Sequence, residues 1–334
     1  MLRKDVIETW KTGERKLKEA SIRRYLRALD NIYKDCEKLN DVFDNTDGLY
    51  LVRTLIRQIG KKNIKKQKAD LGYIMSALTP KGRFYFENER HSQLYMEYLD
   101  YYNKVKKKCE EEDKKQLKSK HDTDNWVTIQ ELENIRHKYY LSIRRLKYKL
   151  KTEKLREGYE KEDMELFKKY IVASLYLLIP PGRNEYADME IISYLDYLKL
   201  PKEDTFTKNY LVVKSRNQKF FHIAEYKTCK TYGPQDLKIS SKLNSVLNLW
   251  LKFKTNSKYL LTNSKGGKLS RNGLSKYLIK VFKATGKNIT STIIRKVYCS
   301  EKFGNDTSYM EKDKIAKQMG HSVNMQQKIY TKIN

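Results

Sequence analysis

The residues best suited to chemistry lie in the chain's last turn, where Gly320-His321-Ser322 is followed by Tyr330. A glycine after a helical run suits the left-handed residue that closes a helix, and Ser322 suits the cap of the next one. His321 is therefore expected at a helix junction, with Tyr330 near the end of the short helix that follows. A phenol and an imidazole at one spot suggest a tyrosine nucleophile and a helper that binds the group under attack. Tyr makes up 26 of 334 residues, so one at a given offset has little weight alone. The pair matters only if upstream residues complete a phosphate site.

The bulk charge points the same way. Lys and Arg number 70 against 41 Asp and Glu, a net charge of +29. Such an excess calls for a polyanionic partner, and the phosphate backbone of nucleic acid is the first candidate. An anionic membrane surface is the rival, and the least expected one, because the basic residues are spread along the chain without a strongly apolar amphipathic helix. No run approaches the ~20 apolar residues of a spanning helix. The segment 171–179 is short and stops at Pro180-Pro181. The amino terminus has no apolar signal region, which predicts an intracellular protein working wherever its polyanionic partner is. Cys36, Cys109, Cys229 and Cys299 are scattered without a C-x-x-C pair and read as reduced thiols. An AT-rich genome would also favour Lys, Asn, Tyr and Ile, so part of the charge can be compositional.

The elements that must position these groups fall into two parts. Residues 1–115 read as helices only. Ser21 is expected to cap a stripe of Ile22, Tyr25, Leu29 and Ile32, and further helices are expected to end at Gly60, before Pro80 and near Lys108. Lys61, Lys62, Lys65, Lys66 and Lys68 cluster ahead of the third of these helices. From Glu110 to Asn125 nearly every residue is charged or small and polar, which is linker composition, and the linker is set at 116–125. The second domain, 126–334, opens on a capping box, Thr128-x-x-Glu131, with Val127 and Leu132 placed as a hydrophobic staple. Residues 162–179 are apolar on most sides and predict a buried central helix that delivers Arg183 into a loop. Short strands are expected at 210–213, 219–226 and 236–239, with helices at 241–254, 271–284, from about 290, 309–319 and 323–331. The expected fold is mainly α with a small antiparallel β-sheet.

In chain order this second part offers Arg183, Lys227, Arg295, His321 and Tyr330. The set resembles the tyrosine recombinase (phage integrase) family, whose catalytic domain uses Arg, a hairpin Lys, His-x-x-Arg, a Gly-His motif and a Tyr nucleophile. The resemblance covers about residues 125–334. Its most specific parts are Met319-Gly320-His321-Ser322 with Tyr330 at the family's spacing, and Arg183 directly after a buried helix. Pro180-Pro181-x-Arg183-Asn184-x-Tyr186 looks most like recombinases of large DNA viruses and their satellite viruses. The resemblance implies a helical core-binding domain that clamps DNA, joined to an α+β catalytic domain.

It also implies the roles. Attack on a phosphodiester builds negative charge on the non-bridging oxygens, which two guanidiniums, Arg183 and Arg295, would hold with paired hydrogen bonds. His321 would donate to one of the same oxygens. A phenol titrates near 10, so Tyr330 would need these cations around it. Lys227 would protonate the departing 5′-oxygen, with Lys230 as the alternative lysine. The product would be a 3′-phosphotyrosyl bond that keeps the phosphodiester's energy, so no cofactor, ATP or metal is expected. The sequence departs from the family pattern at Thr292, where the family most often has His three residues before the arginine. A hydroxyl there can donate but cannot act as an acid–base group near neutral pH. A second departure is Tyr186, which stands where an acidic residue usually follows the first arginine, leaving Glu185 or Asp188 to orient Arg183.

The function implied is site-specific DNA recombination or integration by a homotetramer on double-stranded DNA, moving a viral or mobile genome. Two alternatives stay open at this level. One is a monomeric type IB topoisomerase with the same chemistry. The other is a DNA-binding protein that kept the fold and lost catalysis, with Thr292 as the sign.

Overall fold

Two separate sets of apolar side chains organise the chain into two units, Met1–Lys115 and Gln116–Asn334. The computed structural model describes residues 3–13, 16–32, 48–79, 81, 89–152, 161–254, 257–303 and 307–333.

Unit 1 is helical throughout its described residues: Arg3–Thr12, Glu19–Ile32, Gly48–Gly60, Ile64–Leu78 and Glu89–Lys114. Its core gathers Trp10, Leu29, Leu55, Ile59, Leu71, Ile74 and Tyr98, and the Trp10 indole donates to Ser76 O at 3.2 Å. Ser21 falls inside the first turn of its helix instead of capping it, because the amides of Ser21 and Ile22 already bond to Lys18 O. The lysine run is partly internal. Lys62 and Lys66 both pair with Asp70, which is wholly buried, and Lys65 pairs with Asp113. A buried carboxylate needs such partners, so Lys62 and Lys66 have a structural task.

Unit 2 is built on the helix Lys161–Leu177, which packs against helices Ile129–Thr152, Ser241–Phe253 and Arg271–Val281. Phe167, Ile171, Val172 and Leu175 are fully buried within that packing. Leu178-Ile179-Pro180-Pro181 ends the helix, since proline offers no amide and biases the preceding residue away from helix. The helix Ile129–Thr152 starts at the predicted capping box: Thr128 N donates to Glu131 Oε2 at 2.6 Å, and Glu131 N to Thr128 Oγ1 at 3.1 Å. Val127 and Leu132 are both buried beside it.

The sheet is small, four-stranded and mixed, in contrast to the antiparallel one expected. Its order is β1 (Glu190–Ser193), β2 (Tyr210–Val213), β3 (Lys219–Ile223), β4 (Gln235–Lys238). The β1 strand runs parallel to β2 with Glu190 opposite Tyr210, and the other pairs are antiparallel. A parallel partner requires a crossover, here the short helices Tyr194–Leu198 and Lys202–Thr207. β3 ends three residues before the expected limit at Tyr226. The buried Asn209 side-chain oxygen Oδ1 accepts from Ala224 N and Glu225 N, which removes both amides from any ladder.

The segment 116–125, expected as a linker, is folded. Ser119 and Asp122 form a capping box on the helix Lys120–Asp124, and Asp122 is 2% exposed. Its carboxylate accepts from Lys296 Nζ at 2.5 Å, and Asn125 Oδ1 accepts from Asn288 N at 2.7 Å. Burial works against the charged form, yet the hydrogen bonds from Lys296 and Ser119 hold the Asp122 carboxyl below its usual range. The last described residues return to this segment: Ile333 bridges Leu117, and Ile333 N donates to Gln116 O at 3.1 Å. Cys109, Cys229 and Cys299 are free thiols, and Cys36 lies outside the described residues. Among the described residues no helix is long and apolar enough to cross a membrane.

Candidate active site

Arg183 reaches the site because its loop is pinned from below. The Tyr176 phenol, at the end of the central helix, donates to Arg183 O and lies 3.2 Å from Asn184 Oδ1. Asn184 Nδ2 in turn donates to Ser275 Oγ at 2.9 Å and to Arg271 O at 3.2 Å. The half-buried Arg183 side chain then donates through Nη1 to Gly320 O at 3.3 Å.

Arg295 comes from the helix Ser291–Lys302, which Thr290 caps. It is 1% exposed, an unusual burial for a guanidinium, and its Nη1 donates to Pro181 O at 2.8 Å and to Met319 O at 3.0 Å. One nitrogen thus joins the loop of Arg183 to the turn of His321. Its Nε and Nη2 are buried with no hydrogen-bond partner. Burial pushes the guanidinium's pKa down, and the charge of Arg183 adds to that while Tyr330 opposes it.

The turn itself follows the expected design. Helix Tyr309–Gln318 closes through Gly320, whose φ of +67° only glycine adopts freely. His321 N bonds to Ala316 O at 3.0 Å and Gly320 N to Lys317 O at 2.9 Å, a Schellman-type closure. The space is equally restrictive, since a Cβ on Gly320 would stand 3.2 Å from the Tyr226 ring. Ser322 caps the following helix Val323–Met325 through Met325 N.

His321 is 3% exposed. Its Nδ1 lies 3.1 Å from Ser322 O, and a carbonyl can only accept, so Nδ1 carries the proton. That leaves Nε2 as a bare nitrogen, buried and without a partner. Burial first, and then the charge of Arg295, pushes the imidazole down to about 3. The ring of Tyr330 stacks on it with centroids 4.9 Å apart and 19° between planes. The Arg295 guanidinium carbon lies 4.5 Å from the centre of the same phenol. Tyr330 ends a π-helical turn, Gln326–Tyr330, in which Thr331 N reaches back five residues to Gln326 O at 2.9 Å.

Four of the five expected residues therefore meet: Arg183, Arg295, His321 and Tyr330. Lys227 is exposed in the connection between β3 and β4, and no contact joins its ammonium to them. Its neighbours hold it near, because the Thr228 hydroxyl donates to Gly320 O at 2.8 Å and Tyr226 packs under Gly320. Lys230, also exposed, sits on the short helix Cys229–Tyr232 without such a tie. Thr292 stands exposed in the first turn of the Arg295 helix.

Neither acidic candidate pairs with Arg183. Asp188 lies 3.9 Å from Arg271 Nε, while the Glu185 carboxylate is buried with Oε2 unpaired. Tyr186 is a core residue, its ring against Tyr176 and Phe221. Arg183 bonds instead to a backbone carbonyl, and among the described residues no carboxylate forms an ion pair with its guanidinium. Nothing local in the sequence marks Tyr176 or Tyr226 as supports, and Thr228 is marked only by its place beside Lys227.

Chemically this is a pair of guanidiniums, with two N–H donors of Arg295 buried and unpaired among the described residues, beside a neutral imidazole and a phenol. Such a cradle suits an oxyanion whose negative charge grows during reaction. Among the described residues no three of His, Cys, Asp and Glu are grouped as a metal ion would require.

No family model matches the chain, and no curated protein matches it. Among solved structures it is similar to the crystal structure of XerA recombinase, with 10% identity and a TM-score of 0.38. That match covers 100% of this chain and 95% of the other. Overlap so loose carries no argument about function, which rests on the site's own geometry.

Proposed function

We propose that this chain is a DNA strand transferase that cuts and rejoins DNA through a 3′-phosphotyrosyl bond to Tyr330. The observation that carries the reading is the double hydrogen bond of Arg295 to Pro181 O and Met319 O. It gathers two guanidiniums, an imidazole and a phenol around one small volume. Buried cationic donors without a carboxylate partner are costly in a folded protein. A phosphate oxygen entering the site would satisfy them.

In the reaction Tyr330 Oη bonds to phosphorus as its proton leaves to solvent. The bond to the 5′-oxygen breaks, and Lys227 supplies the proton which that oxygen takes up. Arg183 and Arg295 hold the non-bridging oxygens, where negative charge accumulates. With an anion in place, His321 Nε2 takes up a proton and donates to it. A second 5′-hydroxyl reverses the step onto a new strand, so the energy of the broken bond is retained and no ATP is needed. Unit 1, with its excess of lysines, serves to clamp the duplex, and unit 2 carries the chemistry.

The finer reading is a site-specific recombinase or integrase of a viral or mobile genome, acting as a tetramer on two duplexes. Its support is the motif at 180–186 and the Gly-His…Tyr spacing. One observation favours a second reading, a monomeric type IB topoisomerase. The residues after Tyr330 pair with Leu117 of their own chain, so they are engaged without a neighbouring subunit.

A nicked suicide substrate tests the chemistry. Wild-type protein should form a covalent adduct, and Tyr330→Phe should form none while binding DNA nearly as well. An adduct in the Phe variant would reject Tyr330 as nucleophile. Plasmid relaxation at low protein, without sequence preference or recombinant product, would favour the topoisomerase over the recombinase.

A further inference from the structure

The segment that carries Tyr330 is held from both sides by one residue far away in sequence. Thr331 N bonds to Gln326 O in the π-helical register, and Lys332 N is taken by Ser300 Oγ at 2.7 Å. The carbonyl of Gln327 accepts from Gln116 Nε2. The backbone oxygen of the same Gln116 accepts from Ile333 N at 3.1 Å. Tyr330 lies midway between the two points, three residues after Gln327 and three before Ile333.

Gln116 is also one of two non-glycine residues with positive φ among those described, at +52°. That conformation costs about 1–2 kcal/mol for a residue with a Cβ. It persists only where surrounding contacts impose it, and such sites concentrate where geometry matters for function. Here the unusual backbone is what lets one residue turn its carbonyl and its side chain toward the same segment. Gln116 is the first residue of unit 2, joined directly to Lys115 at the end of unit 1.

We infer that Gln116 is a positioning residue for the nucleophile: it acts through Gln327 and Ile333 to hold Tyr330 in line with the phosphate site. The inference rests on the strand-transferase reading for its kinetic consequence, but the restraint itself can be measured without catalysis. In-line attack needs the phenol within a narrow range of angle and distance. Removing one of two restraints lets the segment sample others, so the chemical step slows while DNA contacts elsewhere are untouched.

Two variants separate the possibilities. Gln116→Met keeps the length and the strained backbone and removes the donor. Gln116→Gly removes the side chain and relieves the strain. Both should slow single-turnover adduct formation at saturating suicide substrate by roughly three- to ten-fold, the worth of one hydrogen bond. DNA affinity and melting temperature should stay close to wild type. In the DNA-free protein, amide hydrogen exchange at Thr331 and Ile333 should speed up in both variants. Unchanged exchange in both variants would overturn the inference. So would an unchanged adduct rate, or a parallel fall in rate, affinity and stability. If wild-type protein formed no adduct at all, the strand-transferase reading would fail instead, and exchange at Thr331 and Ile333 would still decide whether Gln116 restrains the segment.

Discussion

Arg295 lies face-on to Tyr330, its guanidinium carbon 4.5 Å from the ring centroid, while Nε and Nη2 of that guanidinium remain unpaired. The hydrogen bonds it does make, from Nη1 alone, fix the plane of the group. One edge of the guanidinium is structural, and the other, buried beside Tyr330, makes no hydrogen bond among the described residues. This division of one side chain yields the first prediction.

Arg295→Lys should retain part of the fold and lose the chemistry. An ammonium can reach one of the two carbonyls but cannot also present a rigid fork toward an oxyanion. Adduct formation on a suicide substrate should fall by about 100-fold or more, the scale seen when a transition-state donor is removed. DNA affinity, supported by many other lysines and arginines, should change little. A variant with near wild-type rate would show that the fork is not used.

The neutral state of His321 makes stability depend on pH. Its pKa is pushed from 6.5 to about 3 in the folded protein. Between those values the unfolded chain binds a proton that the folded one does not. Stability is therefore fully present above about 6.5 and lost as pH falls below it, by up to about 1.4 kcal/mol per pH unit. Denaturant titrations of DNA-free protein between neutral pH and pH 5 should show this slope, and His321→Gln should lose one proton's share of it. Equal slopes would assign the proton elsewhere.

Gly320→Ala should destabilise unit 2 by about 1–2 kcal/mol, since a Cβ disfavours the left-handed region. Contact with the Tyr226 ring adds to the strain. The same change displaces the carbonyl that accepts from both Arg183 and Thr228, so adduct formation should fall by more than the loss of folded protein explains. Chemical denaturation and single-turnover kinetics on one preparation would separate the two effects.

Asp122 and Lys296 should behave as a buried pair. Lys296→Met strands a carboxylate in the interior and should cost about 3 kcal/mol or more, whereas Asp122→Asn, which keeps a hydrogen-bonding group, should cost less. The depressed carboxyl of Asp122 adds stability that is complete above its unfolded value, near 3.9, and disappears as pH falls from there through its lower folded value. Acid unfolding of the Asn variant should accordingly be shallower than that of wild type.

What could be read from the sequence was mostly local. Thr128 with Glu131, Gly320 and Ser322 each act within a few residues of themselves, and the structure has each cap or turn where the local pattern put it. The central helix was legible because its apolar residues run on most sides. β1 was not: four residues, Glu190-Ile191-Ile192-Ser193, become a strand only through a partner twenty positions on. The segment 116–125 read as linker because charge density was counted without its partners. Asp122 finds its lysine 174 residues later, which no local pattern encodes. The orientation of Arg183 is hidden for a related reason: its partner is not an acidic side chain but the carbonyl of Gly320, a group every residue has.

The π-helical turn before Tyr330 sets the phase of the nucleophile. Each residue in an α-helix advances the side chain by about 100°, and a π turn accommodates one residue more than its α counterpart. Deleting a single residue between Gln326 and Ile329 would let an ordinary α turn close with the phenol still on the Arg295 side, whereas a deletion that left the π register in place would rotate it by about 100°. The stretch therefore tolerates a lost residue only where the turn can shorten with it.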